Sequence, residues 1–230
     1  MKKIGAALLA LLVTAGCVQT VQLNQQAADV NGRPVAVLRN PPIAFGRMLA
    51  NAGSGNLLYD VLNTTLQGVT EAHKELFGIA APTTDPARIT EGLIAGHLTG
   101  SLGAVAHADL AGAIPAGGEG EERVAKIVSL ARDKKFTGLV IDLPPEKFRV
   151  IYHDHPWAIG GGKVQMSFAA QFRLIDVSTG KVLAAGECAE SDVRVTPAKT
   201  ALEQGQAFTN GKAEELGRKC AEAIIRRALG

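Results

Sequence analysis

From Lys163 to Asp176 the chain alternates, with Val164, Met166, Phe168, Ala170, Phe172 and Leu174 set against Gln165, Ser167, Gln171 and Arg173. A period of two sends these sets to opposite faces of an extended backbone, so the segment predicts a two-sided antiparallel strand. Asp176-Val177-Ser178-Thr179-Gly180-Lys181 supplies turn chemistry, and Val182 to about Val195 predicts the return arm of a long hairpin. In that arm Glu187, Glu190, Asp192 and Arg194 do not keep one parity, which predicts a bulge or an exposed edge.

Helical periodicity takes over on either side of the hairpin. Across Glu121 to Lys134, Val124, Ile127, Val128 and Ala131 share a helix face, with Glu121 and Glu122 early and Lys134 late, as the helix dipole favours. Asn210 to Leu229 predicts a closing amphipathic helix, with Leu216, Cys220 and Ile224 on its inner face, Glu214 and Glu215 early, and Arg226 and Arg227 late. A long helix is also expected across Leu57 to Phe77. Val35 to Leu38, Gly138 to Asp142 and Phe148 to Tyr152 predict short strands, the last two punctuated by Pro144-Pro145. Leu93 to Ala108 has no formally charged residue, and Gly92, Gly96 and Gly100 give it the spacing of close helix packing. It is read as a packed helix or a glycine-loosened loop, the alternative being a segment from Gly92 to Gly103 that meets a membrane or a partner subunit. These elements predict an α+β fold: an antiparallel-rich sheet with helices packed on at least one face, and a long C-terminal hairpin followed by a closing helix.

The N-terminus carries an address. Lys2 and Lys3, the apolar run Ile4 to Val13 and Thr14-Ala15-Gly16-Cys17 have the layout of an export signal, too short to span a bilayer as a helix. Ala15, Gly16 and Cys17 resemble the lipobox of bacterial lipoproteins, with Thr14 outside its pattern. The resemblance implies that Cys17 carries a diacylglycerol thioether and an acylated amine, palmitate among the acyl groups, and that Val18 favours sorting to the outer membrane. The alternative is a cut after Ala15 that leaves Cys17 unmodified. The expected organisation is a signal peptide at 1–16, a lipidated Cys17 and flexible tether over 17–34, and a single periplasmic domain over 35–230.

Removing Lys2 and Lys3 removes the whole formal charge of +2. A neutral chain with 4% aromatic residues has neither the basic surface nor the stacking platforms of a nucleic-acid binder. Of the three cysteines, Cys188 and Cys220 remain beside Cys17. An exported chain permits a bridge between them, the alternative being two buried free thiols.

The helix and buried strand from Val124 to Ile141, the hairpin Arg173-Leu174-Ile175-Asp176-Val177-Ser178-Thr179-Gly180-Lys181-Val182-Leu183 and the closing helix resemble the amino-terminal domain of TolB and related envelope lipoproteins. That group includes the curli-secretion lipoprotein and the lipoprotein activators of penicillin-binding proteins. The resemblance implies a binding or assembly module without a catalytic site.

Candidate chemistry is sparse. In Tyr152-His153-Asp154-His155-Pro156-Trp157, His153 and His155 share one face of an extended strand, as two metal ligands would, yet no third ligand stands at a telling spacing. Gly160-Gly161-Gly162-Lys163 lacks both ends of a phosphate loop, and Ala52-Gly53-Ser54-Gly55-Asn56 lacks the glycines of a nucleophile elbow. Asn63-Thr64-Thr65 matches a glycosylation sequon. The expectation is a non-enzymatic, cofactor-free lipoprotein anchored in the outer membrane, facing the periplasm and bound to an envelope protein, with homo-oligomerisation left open. A ligand- or metal-binding protein using Tyr152 to Gly162 is the second reading, and a hydrolase the third.

Overall fold

The computed structural model describes residues 21–23, 30–50, 71–111, 120–153 and 162–230. The signal segment, Cys17, Ala52 to Asn56, Asn63 to Thr65, His155 and Trp157 lie outside the described residues. The elements run β1 Pro34–Val37, β2 Gly46–Leu49, α1 Glu71–Gly78, α2 Pro86–Gly100, β3 Val105–Ala106, α3 Gly120–Asp133, β4 Leu139–Asp142 and β5 Pro145–His153. Then come β6 Lys163–Asp176, β7 Lys181–Ser191, β8 Thr196–Pro197, α4 Ala198–Gln204 and α5 Gln206–Ile224, whose C-terminus widens into a π turn at Ile225–Leu229.

The alternating segment is β6, and it organises the sheet. Val164, Met166, Phe168, Ala170, Phe172 and Leu174 are at most 1% exposed and face one core. One edge of β6 pairs antiparallel with β7 and β8, the other with β4 and β5, so β6 carries partners along both sides. Gly180, at φ 72°, makes the turn into β7, where a register shift opposite Leu174 and Ile175 produces the expected bulge. The fold is α+β, with parallel β1–β4, β1–β3 and β2–β5 pairs joined to the antiparallel meander.

Strands β4 and β5 behave as one strand broken at Leu143-Pro144. Their register against β6 is the same before the break, Asp142 opposite Arg173, and after it, Pro145 opposite Ala170. Strands β1 and β2 repeat the device beside them, pairing parallel to β4 and then to β5, with Pro41-Pro42 in the gap between. Proline has no amide hydrogen to give a ladder, so two proline pairs at one level open the sheet there. β5 then gains a residue at Glu146, where its register shifts.

Helices cover both faces unequally. One core gathers residues of α1, α2, α4 and α5 against the inward side of β6. On the opposite face, among the described residues, α3 is the helix that packs, through Val124, Ile127, Val128 and Ala131, onto Leu38, Val140 and Ile175. Asp85 caps α2 by accepting from the Ala87 amide at 2.9 Å, with Pro86 at its first turn. α2 crosses α5 at Gly217, where a Cβ would lie 2.7 Å from the Pro86 carbonyl oxygen and 2.9 Å from Ile89. Close packing therefore runs through Gly217. Gly92, Gly96 and Gly100 meet nothing within 4 Å, so among the described residues they form no packing seam.

The N-terminal boundary differs from the sequence expectation. Val30 is fully buried, β1 begins at Pro34, and Val21 forms an antiparallel bridge with Ala185 on the outer edge of β7. The Leu23 amide donates to the Ala228 carbonyl at 2.8 Å. Part of the expected tether is thus built into the folded body, because an apolar Val-x-Leu pair meets an open strand edge. The closing helix also begins earlier than periodicity indicated, at Gln206, since Phe208 and Thr209 are buried as well.

Cys188 and Cys220 are joined as a disulfide between β7 and α5, with Cα atoms 5.3 Å apart and a sequence separation of 32. Both side chains are essentially buried. Closing a loop of this length limits the unfolded chain, a stabilisation of about 3 to 4 kcal/mol in the loop-entropy description. Titration of the denatured, unreduced chain is expected to find no thiol at either position, and a Cys188→Ala, Cys220→Ala variant to lose about that much stability in urea. Gly217→Ala is expected to lower the unfolding free energy by about 1–3 kcal/mol, because the new methyl meets the Pro86 carbonyl and the root of the β-branched Ile89 side chain, neither of which yields easily.

Candidate functional site

The proline gap is filled by charge. Asp142, the last residue of β4, is fully buried and so requires partners that offset the loss of water. Arg123, on the inward face of α3, donates from Nε to Asp142 Oδ2 at 2.8 Å and from Nη2 to Oδ1 at 2.7 Å. Arg173, on β6, reaches Oδ2 from Nη1 at 3.4 Å, and Asn40 Nδ2, just after β1, reaches Oδ1 at 3.1 Å. Arg123 Nη2 also donates to Asn40 Oδ1 at 2.7 Å. Four donors therefore occupy the two Asp142 oxygens, about as many as a carboxylate has lone-pair sites. The cluster ties β1, β4, β6 and α3 together at the break.

The cluster extends both ways along the surface. Arg173 Nη2 donates to Gln171 Oε1, and Gln171 Nε2 to Glu146 Oε1 on the exposed bulge of β5, both at 2.6 Å. On the other side Arg88 Nη2 donates to the Asn40 carbonyl at 2.6 Å, while Arg88 Nη1 and Arg39 Nη1 both bind Glu91 Oε2, at 2.7 and 2.8 Å. Glu91 is 1% exposed, and among the described residues no donor meets its Oε1. Burial pushes the Glu91 carboxyl up; Arg88 and Arg39 pull it back only in part. Asp176, at the far end of β6, is the opposite case. Burial alone would raise it, but hydrogen bonds from Arg33, Ser178 and Thr179 outweigh burial and hold its carboxyl well below the usual range.

A crevice of about 430 Å³ opens over this cluster, between Asn40–Ala44 on one wall and Pro144–Glu146 on the other. Arg123 and Arg173 form its floor, and Pro41, Pro42, Ile43 and Pro145 contribute apolar walls. Such a volume falls in the range of small-ligand sites.

The residues singled out from sequence lie elsewhere. Tyr152 is buried and its hydroxyl donates to Glu75. His153 Nε2 lies 3.2 Å from Gln165 Oε1 at the end of β5, and its expected co-ligand His155 lies outside the described residues. Among the described residues no group of three His, Cys, Asp or Glu side chains is placed to hold a metal. Arg123, Asp142 and Arg173 were not singled out. A signal for one of them was present: Arg123 stands four residues before Ile127 and eight before Ala131, on the apolar face of its helix, where a charge needs a buried partner.

No family model and no curated protein matches the chain. Among solved structures it is similar to the PelC dodecamer from Paraburkholderia phytofirmans, at 13% identity and a TM-score of 0.33, covering 86% of this chain and 89% of that one. A variant PelC dodecamer from the same organism matches at 13% identity and a TM-score of 0.27, covering 81% and 87%. At these TM-scores the likeness transfers nothing to this chain.

Removing Asp142 would leave two guanidinium groups buried without their shared acceptor. Asp142→Ala is therefore expected to destabilise the chain by about 3–5 kcal/mol in urea denaturation, well beyond the effect of a surface carboxylate.

Proposed function

We propose that the chain is a non-enzymatic cell-envelope lipoprotein, anchored in the outer membrane through Cys17 and facing the periplasm, whose α+β body is a binding or assembly module of an envelope or secretion complex. The observation that carries this reading is the lipobox-like Ala15-Gly16-Cys17 placed just ahead of a docked segment. Three residues stand between Cys17 and Val21, and Val21 is hydrogen-bonded to the edge of β7. The four residue steps from Cys17 to Val21 reach at most about 14 Å, so the lipid would hold the body close to the bilayer. A disulfide between Cys188 and Cys220 fits an oxidising compartment.

The outer edge of β7 supports the assembly half of the reading. Among the described residues only Val21 pairs with that edge, which leaves backbone donors and acceptors beyond Ala185 available to a strand from another protein. Val193 and Val195, just after β7, are 88% and 40% exposed. No comparable observation favours the metal-binding alternative.

The test is fractionation with mass spectrometry of the mature N-terminus. The expected wild-type product begins at a triacylated Cys17 and partitions into the outer membrane, while Cys17→Ser accumulates as unprocessed precursor or soluble chain. An N-terminus at Gly16 with unmodified Cys17 would overturn the anchor. Crosslinking from position 189, on the β7 edge, is expected to capture an envelope protein, and recovery of uncrosslinked monomer alone would overturn the assembly role.

A further inference from the structure

We infer that the crevice over Asp142 is a binding site for a small carboxylate-bearing ligand, a function beyond the anchor and the assembly module. The first observation is charge. Two guanidinium groups face one buried carboxylate, whose oxygens are already occupied by Arg123, Arg173 and Asn40, so within the buried cluster Asp142 balances one positive charge and the other is met only by the exposed rim carboxylate of Glu146, through Gln171. The second is an unused donor on a buried side chain. Arg123 is 4% exposed and lines the crevice, its Nε and Nη2 are committed, and no partner among the described residues meets its Nη1. The third is shape: proline side chains flank the floor on both walls, offering apolar contact to the body of a ligand whose charged end meets the arginines.

Charge balance selects the ligand class. The charge left over matches a monoanion, and the open Arg123 Nη1 offers one carboxylate oxygen a charge-assisted hydrogen bond. A phosphate dianion would place excess negative charge beside Asp142 and the rim carboxylate of Glu146. Glu146, held by Gln171, is the crevice's own competitor for that positive charge. It sits on the bulge of β5 and is exposed, so it can be changed without disturbing the core.

Calorimetric titration of the full chain tests this with 3-phenylpropionate as probe, its neutral amide as control, and inorganic phosphate as the alternative anion. Saturable one-to-one binding of the carboxylate is expected, with at least tenfold weaker binding of the amide and of phosphate. Arg173→Gln is expected to weaken the carboxylate at least tenfold, and Glu146→Gln to tighten it about threefold, the size of an exposed charge effect. Because Arg173→Gln also loosens Asp142, Glu146→Gln keeps the test sharp if that variant does not fold. The inference is overturned by no saturable binding, by amide or phosphate binding as tightly as the carboxylate, or by a Glu146→Gln variant that binds no more tightly than wild type.

Discussion

Two proline pairs at one level of a sheet set the plan of this molecule. Pro41-Pro42 separates β1 from β2, and Pro144 separates β4 from β5 immediately before Pro145. Each pair lacks the amide hydrogens a ladder requires, yet β6 runs past the break between β4 and β5 and holds one register across it, up to the bulge at Glu146. The sheet therefore stays continuous along β6 while opening beside it. Interrupted strands leave backbone and side-chain groups that need partners, and the opening draws in Asn40, Asp142, Arg123 and Arg173.

What fills the opening is decided by magnitudes. An unpaired buried carboxylate would forfeit several kcal/mol of solvation, far more than any single packing contact could return. Asp142 is tolerable because two guanidinium groups and an amide converge on it, and charge-assisted bonds are each stronger than neutral ones. Replacing such a cluster by apolar side chains can be neutral for stability, so its presence is better explained by what it positions than by what it stabilises. It fixes α3 across the break and turns the outer edges of two arginines toward solvent. On the opposite face α2 and α5 pack through Gly217, and the Cys188–Cys220 bridge joins α5 to β7.

The fold class was legible because its decisive segment is long. Fourteen residues of alternation in β6, followed by a glycine turn, leave little freedom for another reading. The face of α3 and the inward Cys220 were equally plain from spacing by three and four. Proline punctuation between β4 and β5 was visible too, but its alignment with Pro41-Pro42 was not, since parallel pairing of β1 with β4 joins segments about a hundred residues apart. The crevice follows from that pairing, so its residues could not be assembled from local pattern. Arg123 on an apolar helix face was the one local sign. The glycines of α2 illustrate the reverse case: the spacing of Gly92, Gly96 and Gly100 was suggestive, but the close approach belongs to Gly217, whose neighbours are set by tertiary packing.

The central claim is that Arg123 is locked onto Asp142 within a break in the sheet. Exchange of the Arg123 Nε hydrogen with solvent, followed by nitrogen-15 NMR on the full chain, measures that lock directly. A resolved resonance exchanging at least a hundredfold more slowly than that of an exposed arginine is the expected result. Exchange at the rate of a free side chain would contradict the account.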